Sequence, residues 1–253
     1  MNKLKSSAIN FPMEVLFLRD DDIPKYVEQG VAHIGIVGEN VLVESTASVD
    51  IIEKLGFGKC RLSIAVPKEK AYNGVQDLSG SRIATTYSNV LQKFLAEKAV
   101  SAEVTPISGS VEIAPGIGLA DSICDIVSSG STLFSNGLRE VETVMRSEAV
   151  LIGQQNPSVE TGVVIDRLLF RLRAVRKAQH NKYVLLNAPN EKLDAICALI
   201  PGMKSPTILP LAEEGWSSVH SVIDEDRFWE IIESLRDAGA QGILVVPIEK
   251  MVV

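Results

Sequence analysis

Glu112 opens a stretch, Glu-Ile-Ala-Pro-Gly-Ile-Gly-Leu-Ala-Asp-Ser-Ile-Cys-Asp-Ile-Val-Ser-Ser-Gly-Ser-Thr-Leu, that runs to Leu133. It places a second carboxylate, Asp125, in a short apolar strand just before a hydroxyl-rich loop. Ser128, Ser129, Gly130, Ser131 and Thr132 are residue types that can cradle a phosphate. Gly130 has no Cβ to hold an anion away, and a helix expected to start after it turns backbone N–H groups toward one point. Glu112 and Asp125 would then face the hydroxyls of a sugar, or a Mg²⁺ carried on its phosphates. The loop also has an ordinary reading as a helix cap and turn, where Ser, Thr and Gly are common. The two flanking carboxylates favour the phosphorylated-sugar site.

The rest of the composition narrows the chemistry. The chain has 253 residues, 46% of them hydrophobic, which is more than one hydrophobic core usually organises and predicts several domains. With 25 basic and 32 acidic side chains the net charge is −7, which argues against a general nucleic-acid binder, so an anion site has to be built locally. Cys60, Cys124 and Cys197 are far apart and odd in number, and His33, His180 and His220 are equally scattered. Neither a disulfide framework nor a transition-metal centre is indicated, and the metal to expect is Mg²⁺ arriving with phosphates. No run approaches the apolar length of a membrane span, and the start at Met1-Asn2-Lys3-Leu4-Lys5-Ser6 lacks the apolar core of a secretory signal, so the expectation is a cytoplasmic protein without a membrane partner.

Elements that could position these residues follow from β-rich runs alternating with helical patterns, the mark of an α/β sheet. Strands are predicted at Met13–Leu18, His33–Gly38, Arg61–Val66, Ser81–Tyr87, Glu103–Ile107, Ile123–Val127 and Ala149–Ile152. Asp20-Asp21-Asp22-Ile23-Pro24 reads as a capped helix start, Glu39–Glu44 as a second helix, and Ser88 as the cap of a helix over 89–98. The chain changes lobe near Pro67 and returns near Val150, giving a discontinuous first lobe (1–66 and 150–179) and a second lobe (67–149) that holds the site. Beyond the Arg- and Leu-rich helix 166–179, the order βαββαβ from Tyr183 to Pro247 is the ferredoxin-like arrangement, a third region over 180–253.

The stretch from Glu112 to Leu133 closely resembles the signature of the ATP phosphoribosyltransferase family. Glu112, Gly118, Ile123, Asp125, Ile126, Ser129, Gly130, Thr132 and Leu133 occupy its constrained places in order. Lys204-Ser205-Pro206-Thr207-Ile208-Leu209-Pro210-Leu211 and Ile243–Lys250 are similar to the C-terminal regulatory domain of the family's long form. The resemblance implies a two-lobed catalytic region like a periplasmic binding protein, plus a ferredoxin-like (ACT-like) α+β domain that binds histidine and takes part in a homo-oligomer, a hexamer or dimer. It implies transfer of phosphoribosyl from phosphoribosyl pyrophosphate to N1 of ATP with release of pyrophosphate, substrate-associated Mg²⁺, and inhibition by histidine. Glu112 and Asp125 then act at the ribose and Ser128–Thr132 hold the 5′-phosphate. Arg19 neutralises phosphate charge and Tyr87 packs on a ring, each with an alternative: a surface ion pair for Arg19, core packing for Tyr87. Asn187, Ser205, Thr207 and Leu209 are the expected histidine contacts. Family members normally begin with a further strand and helix, so the sequence from Met1 reads as starting inside the first lobe. That leaves two competing readings, a catalytically impaired regulatory subunit of the same family and a small-molecule binding protein.

Overall fold

The computed structural model describes residues 4–252, so the expectation attached to the start at Met1 lies outside them. The chain divides into two units, Met1–Thr161 and Gly162–Val253.

The first unit begins with β1 (Lys5–Ser7) and β2 (Glu14–Leu16), an isolated antiparallel pair. A 3-10 turn at Asp20–Asp22 leads into α1 (Ile23–Glu28), with Pro24 in the first turn, where its missing N–H costs nothing. Then come β3 (Ile34–Gly38), α2 (Glu39–Ser45) and β4 (Asp50–Lys54). The chain next enters the second lobe through β5 (Cys60–Pro67), β6 (Arg82–Thr85), α3 (Ser88–Glu97), β7 (Glu103–Pro106), β8 (Ser122–Val127), α4 (Ser131–Ser135) and β9 (Leu138–Ser147). It returns as β10 (Ala149–Gly153), which lies between β3 and β4, antiparallel to both. The first lobe is thus the sheet β3-β10-β4, packed through Val27, Val37, Val41, Leu42, Val150 and Ile152.

The second lobe is the five-stranded sheet β7-β6-β8-β5-β9. β6 is parallel to both β7 and β8, while β5 runs antiparallel to β8 and β9. Alternation along β8 sorts the two faces. Cys124 belongs to the core that also holds Leu62, Ile64, Leu91 and Phe94, whereas Ile123 and Val127 join Val111, Ala114, Leu133 and Leu138 on the opposite side. Two boundaries differ from the sequence expectation. Cys60–Pro67, counted with the first lobe, is a strand of the second lobe's sheet, because its apolar residues are buried between β8 and β9. The lobe change therefore precedes Cys60 rather than following Val66. The helix α5 (Val159–Gln179), also counted with the first lobe, belongs from Gly162 onward to the second unit, where Met251 N–H donates to the Ala174 carbonyl at 2.9 Å.

In that second unit β11 (Asn181–Pro189), α6 (Leu193–Leu199), β12 (Thr207–Pro210), β13 (Trp216–Asp224), α7 (Glu225–Asp237) and β14 (Gln241–Pro247) follow the expected βαββαβ order. The sheet order is β12-β13-β11-β14, fully antiparallel, which is the ferredoxin-like topology. Val184, Leu186, Ala188, Val219 and Ile223 form its core with Ile196, Ile200, Phe228 and Leu235 of the two helices. Asp224 caps α7, its carboxylate accepting from Asp226 N–H at 3.0 Å. Among the described residues no helix is long and apolar enough to cross a membrane.

Candidate active site

Three parallel strands, β7, β6 and β8, end on the same side of the second lobe's sheet, and each delivers one part of the site. In α/β sheets ligands bind outside the carboxyl ends of the strands, where backbone N–H groups and loops converge. After β6 comes Tyr87, fixed by its N–H to Thr85 Oγ1 at 2.9 Å, while that hydroxyl donates to the Cys124 carbonyl at 2.7 Å. After β7 a 3-10 turn at Val111–Ile113 is pinned by buried Val111 and carries Glu112. After β8 comes the loop from Ser128 to Gly130, then α4.

Strand alternation places Asp125 on the face of Ile123 and Val127, the face that the Val111 turn and α4 cover. Glu112, Asp125 and the loop therefore share one side of one sheet. Burial pushes the Asp125 carboxyl above its ordinary value; the Ile126 N–H it accepts at 2.8 Å opposes this, and the nearby Glu112 charge adds to it. In the loop, Gly130 adopts φ 82°, a left-handed conformation that glycine tolerates freely. The Ser129 and Ser131 hydroxyls lie 3.0 Å apart, and Ser131 N–H donates to Ser129 Oγ at 3.4 Å. Ser128, Ser129, Ser131 and Thr132 are exposed, so their donors are open to an incoming anion.

Tyr87 is half-buried against the α3 core. Its phenol is pushed up to about 12, first by burial and then by the charges of Asp125, Asp20 and Asp21, while the Asn40 hydrogen bond opposes the shift. Those carboxylates are thus near enough for their charges to be felt at the Tyr87 phenol. The lobes are fastened beside it. Asn40, buried on α2, donates from Nδ2 to Tyr87 OH at 3.0 Å and accepts at Oδ1 from Ser147 Oγ at 2.7 Å. Glu44, also on α2, takes the N–H groups of Asn89 and Val90, each at 3.0 Å. The expected cap, Ser88, is instead the first residue of α3 and forms no cap bond, because the Glu44 carboxylate from the other lobe does that work. Arg19 lies exposed at the start of the Asp20–Asp22 turn, its carbonyl accepting from Asp22 N–H.

The sequence reading missed a second ring of residues behind the loop. Arg61 on β5 grips Glu140 on β9 through Nε at 2.6 Å and Nη2 at 2.5 Å, and its Nη1 donates to the Ser128 carbonyl at 3.2 Å. Ser63 Oγ donates to the same Glu140 carboxylate at 2.8 Å. The hydrogen bonds from Arg61 hold the Glu140 carboxyl below the usual carboxylate range.

In the ferredoxin-like domain, register brings three of the four expected histidine contacts onto the sheet face away from the helices. Leu209 and Asn187 both stand opposite Ser218, and Thr207 stands opposite His220. Ser205 lies exposed in the connection before β12. His220 was overlooked, yet both its ring nitrogens are engaged on this face, Nδ1 with Tyr183 OH at 2.9 Å and Nε2 with Ser218 Oγ at 3.0 Å. Polar residues alternating with Val219 along β13 were the available signal.

Fold and site together define a two-lobed α/β protein of the periplasmic-binding-protein type, with a hydroxyl-rich Gly130 loop and two carboxylates on one side of its second sheet, followed by a ferredoxin-like α+β domain. The sequence pattern of ATP phosphoribosyltransferase matches residues 19–174, and that described as HisG, C-terminal domain matches residues 178–250. The chain is 59% identical over 249 residues to the ATP phosphoribosyltransferase of Cytophaga hutchinsonii, covering 98% of this chain and 87% of that relative. It is 61% identical over 244 residues to the enzyme of the same name from Bacteroides fragilis, covering 96% of this chain and 86% of the relative. The solved ATP phosphoribosyl transferase (HisG:HisZ) complex from Thermotoga maritima superposes with a TM-score of 0.57 at 29% identity, over 63% of this chain and 77% of that one. The chain belongs to the ATP phosphoribosyltransferase family, in its long form with the C-terminal domain, and is an enzyme of the first step of histidine biosynthesis.

Proposed function

We propose that the chain binds phosphoribosyl pyrophosphate with its 5′-phosphate on Ser128–Thr132 and transfers the phosphoribosyl group to N1 of ATP, releasing pyrophosphate. What supports this reading most directly is the convergence of Glu112, Asp125 and the Gly130 loop at the carboxyl ends of β6, β7 and β8. The ribose carbon becomes electron-poor as the pyrophosphate leaves, and fixed carboxylates beside it stabilise that charge while accepting from the ribose hydroxyls. Asp125, partly desolvated, does this more strongly than a carboxylate in water. Mg²⁺ enters this reading as part of the substrate, bound to its diphosphate, where it takes up the charge of the leaving group. Arg19 and Tyr87 are the contacts proposed for phosphate and purine.

In the same reading the ferredoxin-like domain binds free histidine at Asn187, Ser205, Thr207 and Leu209, the protein works as a homo-oligomer, a hexamer or a dimer, and it is cytoplasmic. Histidine offers an ammonium, a carboxylate and an imidazole, which the hydroxyls, amide and backbone groups around β12 and β13 can pair. Inhibition requires histidine to prefer one arrangement of the enzyme, so histidine and substrate affinities must change reciprocally. Calorimetry of phosphoribosyl pyrophosphate and of histidine, separately and together, tests both halves. The reading expects binding of each and mutual weakening. Thr132→Val and Gly130→Leu that bind the sugar phosphate as tightly as the parent would remove the loop assignment, and a Thr207→Ala, Asn187→Ala double variant with unchanged histidine affinity would remove the regulatory one.

A further inference from the structure

The candidate phosphate loop is exposed, and its donors work only if the peptide planes hold the right way round. In a trans peptide the C=O of one residue and the N–H of the next point in opposite directions. The Ser128 carbonyl and the Ser129 N–H belong to one such unit, and that carbonyl is held at 3.2 Å by Arg61 Nη1. With the carbonyl drawn toward β5, the Ser129 N–H is turned away from Arg61. A flip of this plane would put a carbonyl oxygen where an anion has to sit.

Arg61 is itself immobilised. Its fork meets Glu140 through two parallel bonds, at 2.6 Å and 2.5 Å, the geometry in which a guanidinium loses least freedom for each bond made. Glu140 is fixed in turn by the Ser63 hydroxyl at 2.8 Å, Ser63 being one of the buried residues at the centre of β5. Arg61 and Ser63 sit two apart on β5 and so share a face, and Glu140 reaches them from the neighbouring β9. The pair is roughly three-quarters screened from water, with side-chain exposures of 30% and 26%.

We propose that Arg61, clamped by Glu140 and Ser63, is a positioning residue that sets the Ser128–Ser129 peptide so that its N–H is presented to the phosphate of the sugar substrate. The inference rests on the reading of Ser128–Thr132 as the phosphate cradle. It assigns Arg61 no direct contact with substrate: its charge is spent on Glu140, and its effect is carried through the backbone.

The test is calorimetric affinity for phosphoribosyl pyrophosphate, with ATP affinity measured on the same protein, for the parent, Arg61→Met, Arg61→Lys, Glu140→Gln, the Arg61→Met, Glu140→Gln double variant, and Gly130→Leu. Lysine keeps the cation but lacks the fork that meets carboxylate and carbonyl together. Both Arg61 variants are expected to weaken the sugar phosphate by about tenfold (~1.4 kcal/mol), the size of one lost charge-assisted hydrogen bond, with ATP affinity changed less than about twofold. Glu140→Gln should weaken it by a smaller factor, and the double variant no further than Arg61→Met alone, because the two residues act in series. Parental affinity in Arg61→Lys would show that charge alone matters and overturn the proposal. So would equal weakening of both substrates, the signature of general damage to the lobe. If Arg61→Met does not fold, the Arg61→Lys and Glu140→Gln comparison decides. Gly130→Leu separates the two levels. If it binds like the parent, the cradle reading itself fails. If it is weakened while the Arg61 variants are not, only the positioning role fails.

Discussion

Replacing Glu44 by Ala removes the one carboxylate that ties the N-terminus of α3, in the second lobe, to α2 in the first. Two backbone N–H groups lose their acceptor, those of Asn89 and Val90, each at 3.0 Å, and both belong to the first turn, whose donors have no partner within the helix. Loss of an N-terminal cap costs about 0.5–2 kcal/mol, and loss of a negative charge at the positive end of the helix a further ~0.3–1 kcal/mol. Because Glu44 is only partly buried, the lower half of that range applies, giving a loss of about 1–2 kcal/mol. The Asn89 Nδ2 bond to the Glu44 carbonyl, at 2.8 Å, is made to the backbone and survives the change. For a unit of this size the loss corresponds to a fall in Tm of about 2–8 °C. Scanning calorimetry reads the transition of the first unit, and amide exchange at Asn89 and Val90 reads the site directly; both amides should exchange faster in Glu44→Ala, and Glu44→Gln should fall between. A Tm within about 1 °C of the parent, with unchanged exchange at both amides, would refute the assignment of Glu44 as a stabilising bond between the lobes beside those of Asn40.

Asp125→Asn should separate stability from activity. A carboxyl raised by burial makes the fold most favourable below the unfolded carboxylate pKa and less favourable as pH rises through the folded value, so at pH 7 the neutral Asn variant unfolds at a higher temperature than the parent, and the gap closes as pH falls. Its kcat/KM should drop by on the order of 10²-fold, and an Asn variant that is both less stable and fully active would contradict the role. The Tyr87 phenol should lose its proton with a midpoint at about pH 12, so the phenolate absorbance missing from Tyr87→Phe develops late as pH is raised. An earlier loss would show that Tyr87 is solvated. Leu186→Ala, at a side chain 1% exposed between the sheet and helices of the second unit, should destabilise that unit by about 2–5 kcal/mol and leave the first unit's transition in place. A single shifted transition would mean that the two units unfold together.

Much of this architecture was legible because the buried strands are near-continuous apolar runs. β5, β8 and β10 announce themselves in that way, β3 by its apolar run although only Val37 of it is buried, and the βαββαβ order was readable from alternating patterns. The strands of the first unit that escaped notice are β1, β4 and β9, the first of them only three residues long, all exposed. Asp50–Lys54 is a largely exposed edge strand with charges at both ends, and Leu138–Ser147 pairs with β5 through two register shifts that break its alternation. Missing β9 had a direct consequence, since it carries Glu140. The lobe boundary was set too late for a related reason: Pro67 was read as a hinge, whereas it ends a strand whose partners, β8 and β9, come much later in the chain. The carboxylates and the Gly130 loop were found because they lie within one short segment. Arg61 with Glu140, Glu44 with α3, and Tyr183 with His220 are separated by 79, 45 and 37 positions, and no local pattern reports such pairs.

The most direct measurement is amide-resolved NMR of the intact chain during titration with phosphoribosyl pyrophosphate and Mg²⁺. The account predicts saturable shifts at the Ser129, Gly130, Ser131 and Thr132 amides, with smaller ones near Glu112 and Asp125, all lost in the Gly130→Leu, Thr132→Val double variant. Saturable binding with those four amides unmoved, and the same affinity in the double variant, would contradict the account and place the sugar phosphate elsewhere.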